Sequence, residues 1–364
     1  MDPFTFSQPV RLYFGAGRLS GLPEILRELK ISKAILVCDP FLRGKAEELC
    51  AKCPEIRAVF SEIEPNPQLR GAIAAAGLAR EQEADAVIGM GGGSTLDTAK
   101  FASAVSCSDL SPEECYEKAV FPEKHLKVIA IPTTAGTGSE VTQVSVMSRD
   151  EEKKTINNPV FMPAAAIIDP ELMLTVPPRT TMMTGLDALS HALEGFWSVN
   201  HQPIPDLYAE EAVRLILDNL ERAFRDGSDL EARSAMAYAA TLGGLAFALP
   251  KTAGCHACSY PLSQDYHLPH GEACAFTLDS FVRINAGPRL ENMLRHAGLP
   301  GGSEELAGRI RAFKVMAGLR TKLSDLGEVD IDKLAADCAA HALMRNNPVK
   351  MSEVDLRKMF EALS

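Results

Sequence analysis

The feature of this sequence that most constrains its fold is a series of short apolar runs, separated by helix-forming stretches, in its first half. Three compact runs, Ala34–Cys38, Ala86–Gly89 and Val128–Ile131, are apolar at consecutive positions, as strands buried on both faces are. The stretches Pro67–Glu83 and Ser94–Val105 lie between them and predict helices. Buried strands that alternate with helices predict a parallel sheet covered by helices on both faces.

The sequence changes in character at the proline pair at positions 177 and 178. Each proline ring removes an amide donor and restricts the residue before it, so the pair makes a natural break. Beyond it, three stretches rich in Ala, Leu, Met and Glu predict long helices: Leu207–Phe224, Asp229–Ala248 and Leu306–Leu323. We therefore expect an α/β domain at residues 1–178 and an all-helical domain at residues 179–364.

The charge and composition exclude several classes of protein. The chain has 364 residues and a formal net charge of −11, and its one notable Lys/Arg cluster is the pair Lys153 and Lys154, so a basic nucleic-acid-binding surface is not expected. No apolar stretch approaches the roughly 20 residues that cross a bilayer, and residues 1–15 lack the pattern of a secretory signal. The nine cysteines are odd in number and scattered, unlike a disulfide framework. We expect a cytoplasmic protein without nucleic-acid or membrane partners.

A glycine-rich loop, Gly89–Ser94, follows the second apolar run and opens a helix. Glycine lets the backbone approach a phosphate closely, and the amides at a helix N-terminus attract its charge. Ser94 is placed to cap the helix and Asp97 to complete a capping box. We expect nucleotide binding here, and the alternative is a tight strand-to-helix turn that holds no ligand.

A second polar loop, Pro132–Glu140, follows the third apolar run and contains four hydroxyl groups and two glycines in nine residues. Two such loops at neighbouring strand ends suit a dinucleotide at the carboxyl edge of a parallel sheet, although a solvated loop has the same composition. Asp39 ends the first run and is placed to accept hydrogen bonds from an adenosine ribose. Its charge would repel the 2′-phosphate of NADP and so favours NAD; the alternative is a plain turn residue.

One carboxylate and three histidines in the second half have the chemistry of a metal site. Asp187 and His191 are four residues apart, so on a helix they project from one face. His256 and His270 follow downstream. Such a set suits Fe²⁺, Zn²⁺ or a similar divalent ion and leaves a position for a substrate oxygen. Spacing alone does not show that the two pairs converge.

The segment Gly91–Lys100 resembles the GGGSxxDxAK signature of the iron-containing, or group III, alcohol dehydrogenase family. Further segments resemble landmarks of that family in the right order: Ile131–Thr142, Asp169–Pro178, Gly185–Glu194 and Asn347–Pro348. The match covers essentially the whole chain. It implies the fold shared with dehydroquinate synthase, in which an N-terminal dinucleotide-binding α/β domain and an all-α C-terminal domain enclose an active-site cleft.

The resemblance also implies the residues of the active site. The metal ligands would be Asp187, His191, His256 and His270. The nucleotide contacts would be Asp39, Gly92, Gly93, Ser94, Asp97, Thr133, Thr134, Thr137, Ser139, Lys153 and Lys154. The implied cofactors are Fe²⁺, with Zn²⁺ or another divalent metal as the alternative, and NAD in preference to NADP. The implied partners are a small alcohol or aldehyde and further copies of the chain, in a homodimer or higher homo-oligomer.

The chain departs from the family at one position of the proton path. The family commonly has a histidine four residues after its first downstream ligand, and here that position is Tyr260. A tyrosine, with a pKa of about 10, is a poor base near neutrality but can donate a proton or a hydrogen bond. His267 could take over the relay, and a purely structural histidine is the alternative. We predict Tyr260 and His267 as the catalytic residues of the relay.

The main functional prediction is a metal-dependent, NAD(P)-linked alcohol dehydrogenase or aldehyde reductase. In this reaction the metal polarises the substrate oxygen, and nicotinamide exchanges hydride with the neighbouring carbon. Tyr260 and the nearby Lys251 leave a narrower alternative, a reductase of small anionic aldehydes such as phosphonoacetaldehyde or sulfoacetaldehyde. Dehydroquinate synthase-like lyases share the architecture, and a non-catalytic NAD-binding protein is an alternative from a different class.

Overall fold

The computed structural model describes residues 3–150 and 152–363, which form two compact units. The α/β unit comprises Ser7–Thr134 and Ser139–Met173, apart from residue 151. The helical unit comprises residues 174–363 together with the short segments 3–6 and 135–138. The predicted fold class, an α/β part followed by an all-helical part, is confirmed. The domain boundary after residue 178 remains a prediction, and the ends of the predicted domains at residues 1 and 364 lie outside the described residues.

The α/β unit is built on a parallel sheet. Across residues 3–150 and 152–363 the strands are β1 (Arg11–Phe14), β2 (Ala34–Cys38), β3 (Ile56–Phe60), β4 (Ala86–Gly91), β5 (Lys127–Pro132), β6 (Val144–Arg149), β7 (Glu152–Asn157) and β8 (Ala165–Ile168). The large sheet has the order β1-β8-β5-β4-β2-β3, and every neighbouring pair in it is parallel. Strands β6 and β7 form a separate antiparallel pair.

Helices cover both faces of this sheet, as predicted. The helices of the unit are α1 (Leu22–Glu28), α2 (Arg43–Lys52), α3 (Leu69–Glu81), α4 (Gly93–Val105) and α5 (Pro112–Lys118). Successive side chains of a strand point to opposite faces, so Leu36 of β2 packs with α1 and α2 whereas Val37 packs with α3 and α4. Both faces are buried, which explains why the central strands are apolar at consecutive positions.

Three strands of the sheet escape the sequence analysis. Strands β1 and β3 are its two edges, and an edge strand keeps exposed positions such as Leu12, which is 43% exposed. Strand β8 is buried but has only four residues. Strands this short, or this exposed, lack the continuous apolar run that identifies the central strands.

The helical unit contains the remaining long helices. They are α6 (Pro178–Trp197), α7 (Pro203–Arg225), α8 (Leu230–Phe247), α9 (Gly254–Gln264), α10 (His270–Ile284), α11 (Pro288–His296), α12 (Gly302–Met316), α13 (Ile331–Ala340) and α14 (Glu353–Glu361). The helices predicted at 207–224 and 229–248 correspond to α7 and α8. The helix predicted at 306–323 extends too far, because α12 ends at Met316 and Gly318 adopts a left-handed φ of 61° that terminates it. Among the described residues, no helix combines the length and the apolar character needed to cross a membrane.

Candidate active site

Helix α6 carries three buried polar side chains on one face. Asp187, His191 and Glu194 occupy positions separated by four and then three residues, so they lie above one another on the helix. Their exposed fractions are 2%, 5% and 0%. Helix α9 contributes His256, which is 5% exposed, and α10 contributes His270 as its first residue.

The side chains from these three helices converge. Asp187 Oδ1 lies 3.8 Å from His256 Nε2 and 3.8 Å from His270 Nε2. His191 Nε2 lies 3.0 Å from His256 Nε2. Although Asp187 is buried, its Oδ1 accepts no hydrogen bond, which is uncommon for a carboxylate in a protein interior. An orphaned carboxylate oxygen among imidazole nitrogens fits a divalent cation, so the residues present suit the metal that the resemblance implies.

Two glycines allow α6 to pack closely against neighbouring helices. A Cβ on Gly271 would lie 2.5 Å from the Met183 carbonyl oxygen, so a glycine beside His270 allows α10 to approach α6. A Cβ on Gly195 would lie 2.5 Å from the Ala246 carbonyl oxygen, so α8 packs against α6 in the same way. Any larger residue at either glycine would push the helices apart.

Hydrogen bonds orient two of the imidazoles toward the cluster. His191 Nδ1 donates to the Gly136 carbonyl oxygen at 3.3 Å, and His256 Nδ1 donates to the Glu194 carboxylate. Because these oxygens only accept, both rings carry a proton on Nδ1 and turn Nε2 toward the cluster. Burial would lower the pKa of His256, but the charges of Cys274 and Glu194 hold that pKa well above its ordinary value, so a metal ion at Nε2 would displace a proton. Glu194 also accepts from the Cys255 backbone amide at 2.7 Å. The sequence analysis assigned Glu194 no role, although its place on the Asp187 face of α6 could have identified it.

The charges of the cluster also suit a cation. Burial lowers the pKa of His191 to about 4, so its imidazole is neutral at neutral pH. Burial alone would raise the pKa of Asp187, but the imidazoles of His191, His270 and His256 outweigh that effect and hold the pKa below its ordinary value. The site therefore offers an ionised carboxylate beside a neutral nitrogen donor, the protonation states in which both residues bind a metal.

The two residues predicted for the proton relay lie in different environments. Tyr260 follows His256 by one turn of α9, is half-buried, and stacks on His341 with ring centroids 4.4 Å apart. Burial, and then the charge of His256, lower the pKa of His341. His267 is exposed and has a left-handed φ of 55° in the connection between α9 and α10. The catalytic roles of Tyr260 and His267 remain predictions, and His341 is a neighbour that the sequence did not indicate.

The glycine loop begins its helix differently from the prediction. Helix α4 is capped by Gly92 and starts at Gly93, and no side chain caps it, so the capping box of Ser94 and Asp97 is wrong. Asp97 instead lies one turn inside the helix, buried, where it accepts hydrogen bonds from Ser139 Oγ at 2.8 Å and from a backbone amide of β6. Gly92, Gly93 and Ser94 are half-buried at the start of the helix.

Asp39 lies against this helix start. The adjacent strands β2, β4 and β5 end in register, so the residues that follow them meet at one carboxyl edge of the sheet. Asp39 Oδ2 accepts from the Gly92 amide at 3.1 Å, and Oδ1 accepts from Thr95 Oγ1 at 2.6 Å. A Cβ on Gly91 would lie 2.5 Å from Asp39 Oδ2 and 2.7 Å from Thr95 Cβ, so any side chain there would displace one of these groups. Each carboxylate oxygen has two lone pairs, which leaves acceptor capacity for a ribose hydroxyl.

A buried lysine connects α4 to residues 139–144, at the end of the second polar loop and just beyond it. Lys100 Nζ donates to Ser139 Oγ at 2.7 Å, to the Thr142 carbonyl oxygen at 3.0 Å and to the Val144 carbonyl oxygen at 2.9 Å. Burial lowers the pKa of Lys100 to about 8, against the opposing charges of Asp97 and Glu140. Lys100 thus fixes the position of residues 139–144. The sequence did not indicate this role, because the hydrogen-bond partners of Lys100 are distant from it in the chain.

The other predicted nucleotide residues are spread over both units. Thr133 is buried, and its hydroxyl has no hydrogen-bond partner, whereas Thr134 is half-buried. Thr137 belongs to the segment 135–138 of the helical unit and is also half-buried. Lys153 and Lys154 lie on β7, and Lys154 Nζ donates to two carbonyl oxygens at the end of α5, each at 2.8 Å. Their roles as nucleotide contacts remain predictions.

Comparison with known proteins identifies the family. Residues 9–170 match the family model of the iron-containing alcohol dehydrogenases, and residues 181–364 match the model of the C-terminal part of the same family. A long-chain-alcohol dehydrogenase of Geobacillus thermodenitrificans is 33% identical over 97% of this chain and 95% of its own. A sulfoacetaldehyde reductase of Bilophila wadsworthia is 32% identical over 97% of each chain.

Solved structures agree with this assignment. The sulfoacetaldehyde reductase of Bifidobacterium kashiwanohense, in complex with NAD⁺, superimposes with a TM-score of 0.96 and 38% identity over 100% of this chain and 99% of its own. A 1,3-propanediol oxidoreductase superimposes with a TM-score of 0.91 and 30% identity over the whole of both chains. The chain therefore belongs to the iron-containing alcohol dehydrogenase family and is an oxidoreductase of the alcohol dehydrogenase class.

Proposed function

We propose that this enzyme transfers hydride between NAD and a small aldehyde or alcohol at the cluster of Asp187, His191, His256 and His270. The observation that supports the proposal most directly is the buried, orphaned Asp187 oxygen at 3.8 Å from two imidazole nitrogens. A divalent ion bound there, iron in this family, supplies the positive charge that polarises a substrate oxygen. Zn²⁺ is the alternative occupant, because the same ligands suit it.

The side chains around this cluster prepare it for a cation and a polar substrate. Asp187 supplies the negative charge, and the neutral His191 supplies a lone pair. Glu194 fixes the ring of His256, since its carboxylate accepts the Nδ1 proton. All of these groups are buried, and exclusion of water strengthens their electrostatic interactions with the reacting oxygen.

We propose that NAD binds at the carboxyl edge of the parallel sheet. The NAD⁺ complex of the Bifidobacterium relative supports this cofactor, and the bare amides at the start of α4 suit its pyrophosphate. Asp39, Gly92 and Thr133 follow three adjacent strands at this edge. The Asp39 carboxylate would accept from an adenosine ribose and would repel the 2′-phosphate of NADP.

We propose that Tyr260 moves the proton that accompanies hydride transfer. Its contact with His341, at 4.4 Å between ring centroids, supplies a second titratable group beside the phenol. His341 Nδ1 accepts from the Leu343 amide, so the proton of its neutral ring is on Nε2. The exposed position of His267 offers no comparable support.

A second candidate function is the reduction of a small anionic aldehyde. Two sulfoacetaldehyde reductases are among the similar proteins, one of them at 38% identity. Lys251 lies between α8 and α9, is half-buried, and donates to the Ala248 carbonyl oxygen at 2.8 Å. Phe247, to whose carbonyl oxygen the Lys251 amide donates, stacks on His191 at 4.3 Å. A lysine in this position could pair with a sulfonate or phosphonate, since its ammonium is a compact positive charge.

The test is the initial rate of NADH oxidation by anaerobically purified enzyme, with Fe²⁺, with Zn²⁺ and after chelation. The aldehyde panel pairs neutral propanal with sulfoacetaldehyde and phosphonoacetaldehyde. Metal-dependent oxidation is the expected result, and no oxidation of NADH or NADPH under any condition would refute the proposal. If the substrate is anionic, Lys251→Met should raise the KM for that substrate about tenfold or more, because one charge pair is lost. The KM for propanal should stay unchanged.

We propose further that the enzyme is cytoplasmic and acts as a homodimer or higher homo-oligomer. All nine cysteines are free thiols, which supports a reducing compartment. The oligomer rests on the family resemblance, and light scattering of the purified enzyme tests it.

A further inference from the structure

A cysteine that the family resemblance does not include lies within the metal cluster. Cys274 is fully buried on α10, one turn after His270 and on the same face of the helix. Its Sγ lies 3.8 Å from His270 Nε2. The donor atoms of Asp187, His256, His270 and Cys274 all lie within 4.8 Å of one another.

Three distances among these four donor atoms approach those of ligands that share one ion. Bonds of about 2.0–2.2 Å from nitrogen or oxygen and 2.3 Å from sulfur place the ligand atoms of a tetrahedral site roughly 3.3–3.7 Å apart. The Sγ–Nε2 distance of 3.8 Å is close to that range, as are the two 3.8 Å distances from Asp187 Oδ1 to His256 and His270. The sulfur lies within 4.8 Å of the donor atoms of Asp187 and His256, so it would move inward to bind the same ion.

A second observation, the unpartnered Oδ1 of Asp187, points to the same location. Asp187 is 2% exposed, and its Oδ1 has no hydrogen-bond partner although it faces the two imidazoles. A buried carboxylate oxygen without a donor is costly unless a cation occupies the space in front of it. The thiol and this oxygen therefore border the same place.

We propose that Cys274 is a sulfur ligand of the metal, beside Asp187, His256 and His270. His191 adjoins this set of four, with its Nε2 3.0 Å from His256 Nε2. The inference rests on the metal site of the proposed function and adds a soft donor to it. As the sulfur–metal bond forms, the thiol proton passes to solvent, and no oxidation or reduction takes place. Thiolate ligands favour Zn²⁺ and other softer ions over Mn²⁺, so Cys274 sets the metal preference of the site.

Cobalt spectroscopy of the full-length, chelator-treated protein tests the ligand directly. Co²⁺ in a cluster of oxygen and nitrogen ligands gives visible d–d bands, and a thiolate ligand adds an intense sulfur-to-cobalt charge-transfer band in the near ultraviolet. We expect both in the unmodified protein and d–d bands alone in Cys274→Ser. Cys255→Ser is the matched control, because Cys255 is equally buried and adjoins His256, and it should retain the charge-transfer band.

The outcomes separate this inference from the proposed function. No cobalt bands at all would refute the metal site itself. Visible bands without a charge-transfer band in the unmodified protein, or a charge-transfer band that survives Cys274→Ser, would refute the sulfur ligand and leave the metal site intact. If Cys274→Ser does not fold, the charge-transfer band must be present in the unmodified protein and in Cys255→Ser, and its absence from either overturns the inference.

Metal competition gives a second readout that does not depend on activity. Loss of the thiolate should lower the affinity for Zn²⁺ by about tenfold or more, whereas the affinity for Mn²⁺ should change little. Titration of the metal-free protein and of Cys274→Ser with each ion measures the ratio. An unchanged Zn²⁺/Mn²⁺ ratio would contradict the assignment.

Discussion

At the scale of single residues, the proposed metal site depends on groups that lie behind its candidate ligands. Glu194 holds the Nδ1 proton of His256 and at the same time accepts from the Cys255 amide. It is fully buried and belongs to the same helix face as Asp187 and His191. The histidine tautomer, and with it the direction of the Nε2 lone pair, depends on this one carboxylate.

Glu194→Gln should therefore weaken metal binding without removing a ligand. The amide oxygen can still accept from Cys255, but the amide nitrogen cannot accept the His256 proton, so the ring loses its fixed tautomer. Loss of such a partner costs roughly 10–100-fold in metal affinity, which a chelator competition assay measures. The control is Asp279→Asn, a buried carboxylate paired with Lys314 in the same unit. If the two substitutions change the metal affinity by the same factor, Glu194 does not position His256.

At the scale of elements, the position of residues 139–144 depends on Lys100, a buried lysine of α4. Lys100→Met would leave the carbonyl oxygens of Thr142 and Val144 and the Ser139 hydroxyl without their donor. Each buried acceptor that loses its partner costs about 1–3 kcal/mol. We expect a lower Tm and an NAD Kd raised several-fold, with metal content unchanged, measured by calorimetry and by fluorescence titration.

The matched control for that prediction is the second fully buried lysine of the described residues, Lys314 on α12. It pairs with Asp279 and donates to the Phe276 carbonyl oxygen within the helical unit. Lys314→Met should lower Tm comparably and leave NAD binding unchanged. Equal loss of NAD affinity in both variants would mean that Lys100 acts through general stability alone.

The elements that the sequence predicted are those whose patterns are local. Strand β2 matches its predicted range of Ala34–Cys38, and the helical character of α7 and α8 follows from long stretches of helix formers. The elements that escaped are short or lie at an edge, as β1 does, and their pairing depends on neighbours distant in the chain. The predicted capping box was also wrong because of a distant partner. Asp97 accepts a hydrogen bond from Ser139, 42 positions further along the chain, instead of capping the helix.

At the scale of the whole molecule, only the family resemblance indicated from the sequence that the four candidate metal ligands converge in one site. Spacing placed Asp187 and His191 on one helix face, but the approach of α9 and α10 depends on contacts such as that of Gly271 with Met183. Cys274 repeats the four-residue spacing from His270 and could have been found by the same rule. The contacts of Lys100 could not have been found from spacing. Most of their acceptors are backbone oxygens, which any residue type supplies.

The candidate metal residues and the candidate nucleotide residues lie in different units. Asp187, His191, His256 and His270 belong to the helical unit, whereas the glycine loop and Asp39 belong to the α/β unit. Asp187→Asn keeps the shape of the side chain but removes the charge that faces the imidazoles. We expect loss of bound metal and a fall in turnover of about 10²-fold or more, because polarisation of the substrate oxygen is lost. The Kd for NAD should stay within a factor of two or so, which is about 0.4 kcal/mol.

The reciprocal variant changes the candidate nucleotide site in the α/β unit. Asp39→Ala removes the acceptor of the Gly92 amide and Thr95 hydroxyl and the proposed partner of the ribose. It should raise the Kd for NAD about tenfold, the loss expected for a charged hydrogen bond, and leave the metal content at that of the unmodified enzyme. Calorimetric NAD titration and metal analysis of both variants give a two-by-two comparison. If Asp187→Asn abolishes NAD binding or Asp39→Ala empties the metal site, the two functions are not carried by separate units and the assignment of these residues fails.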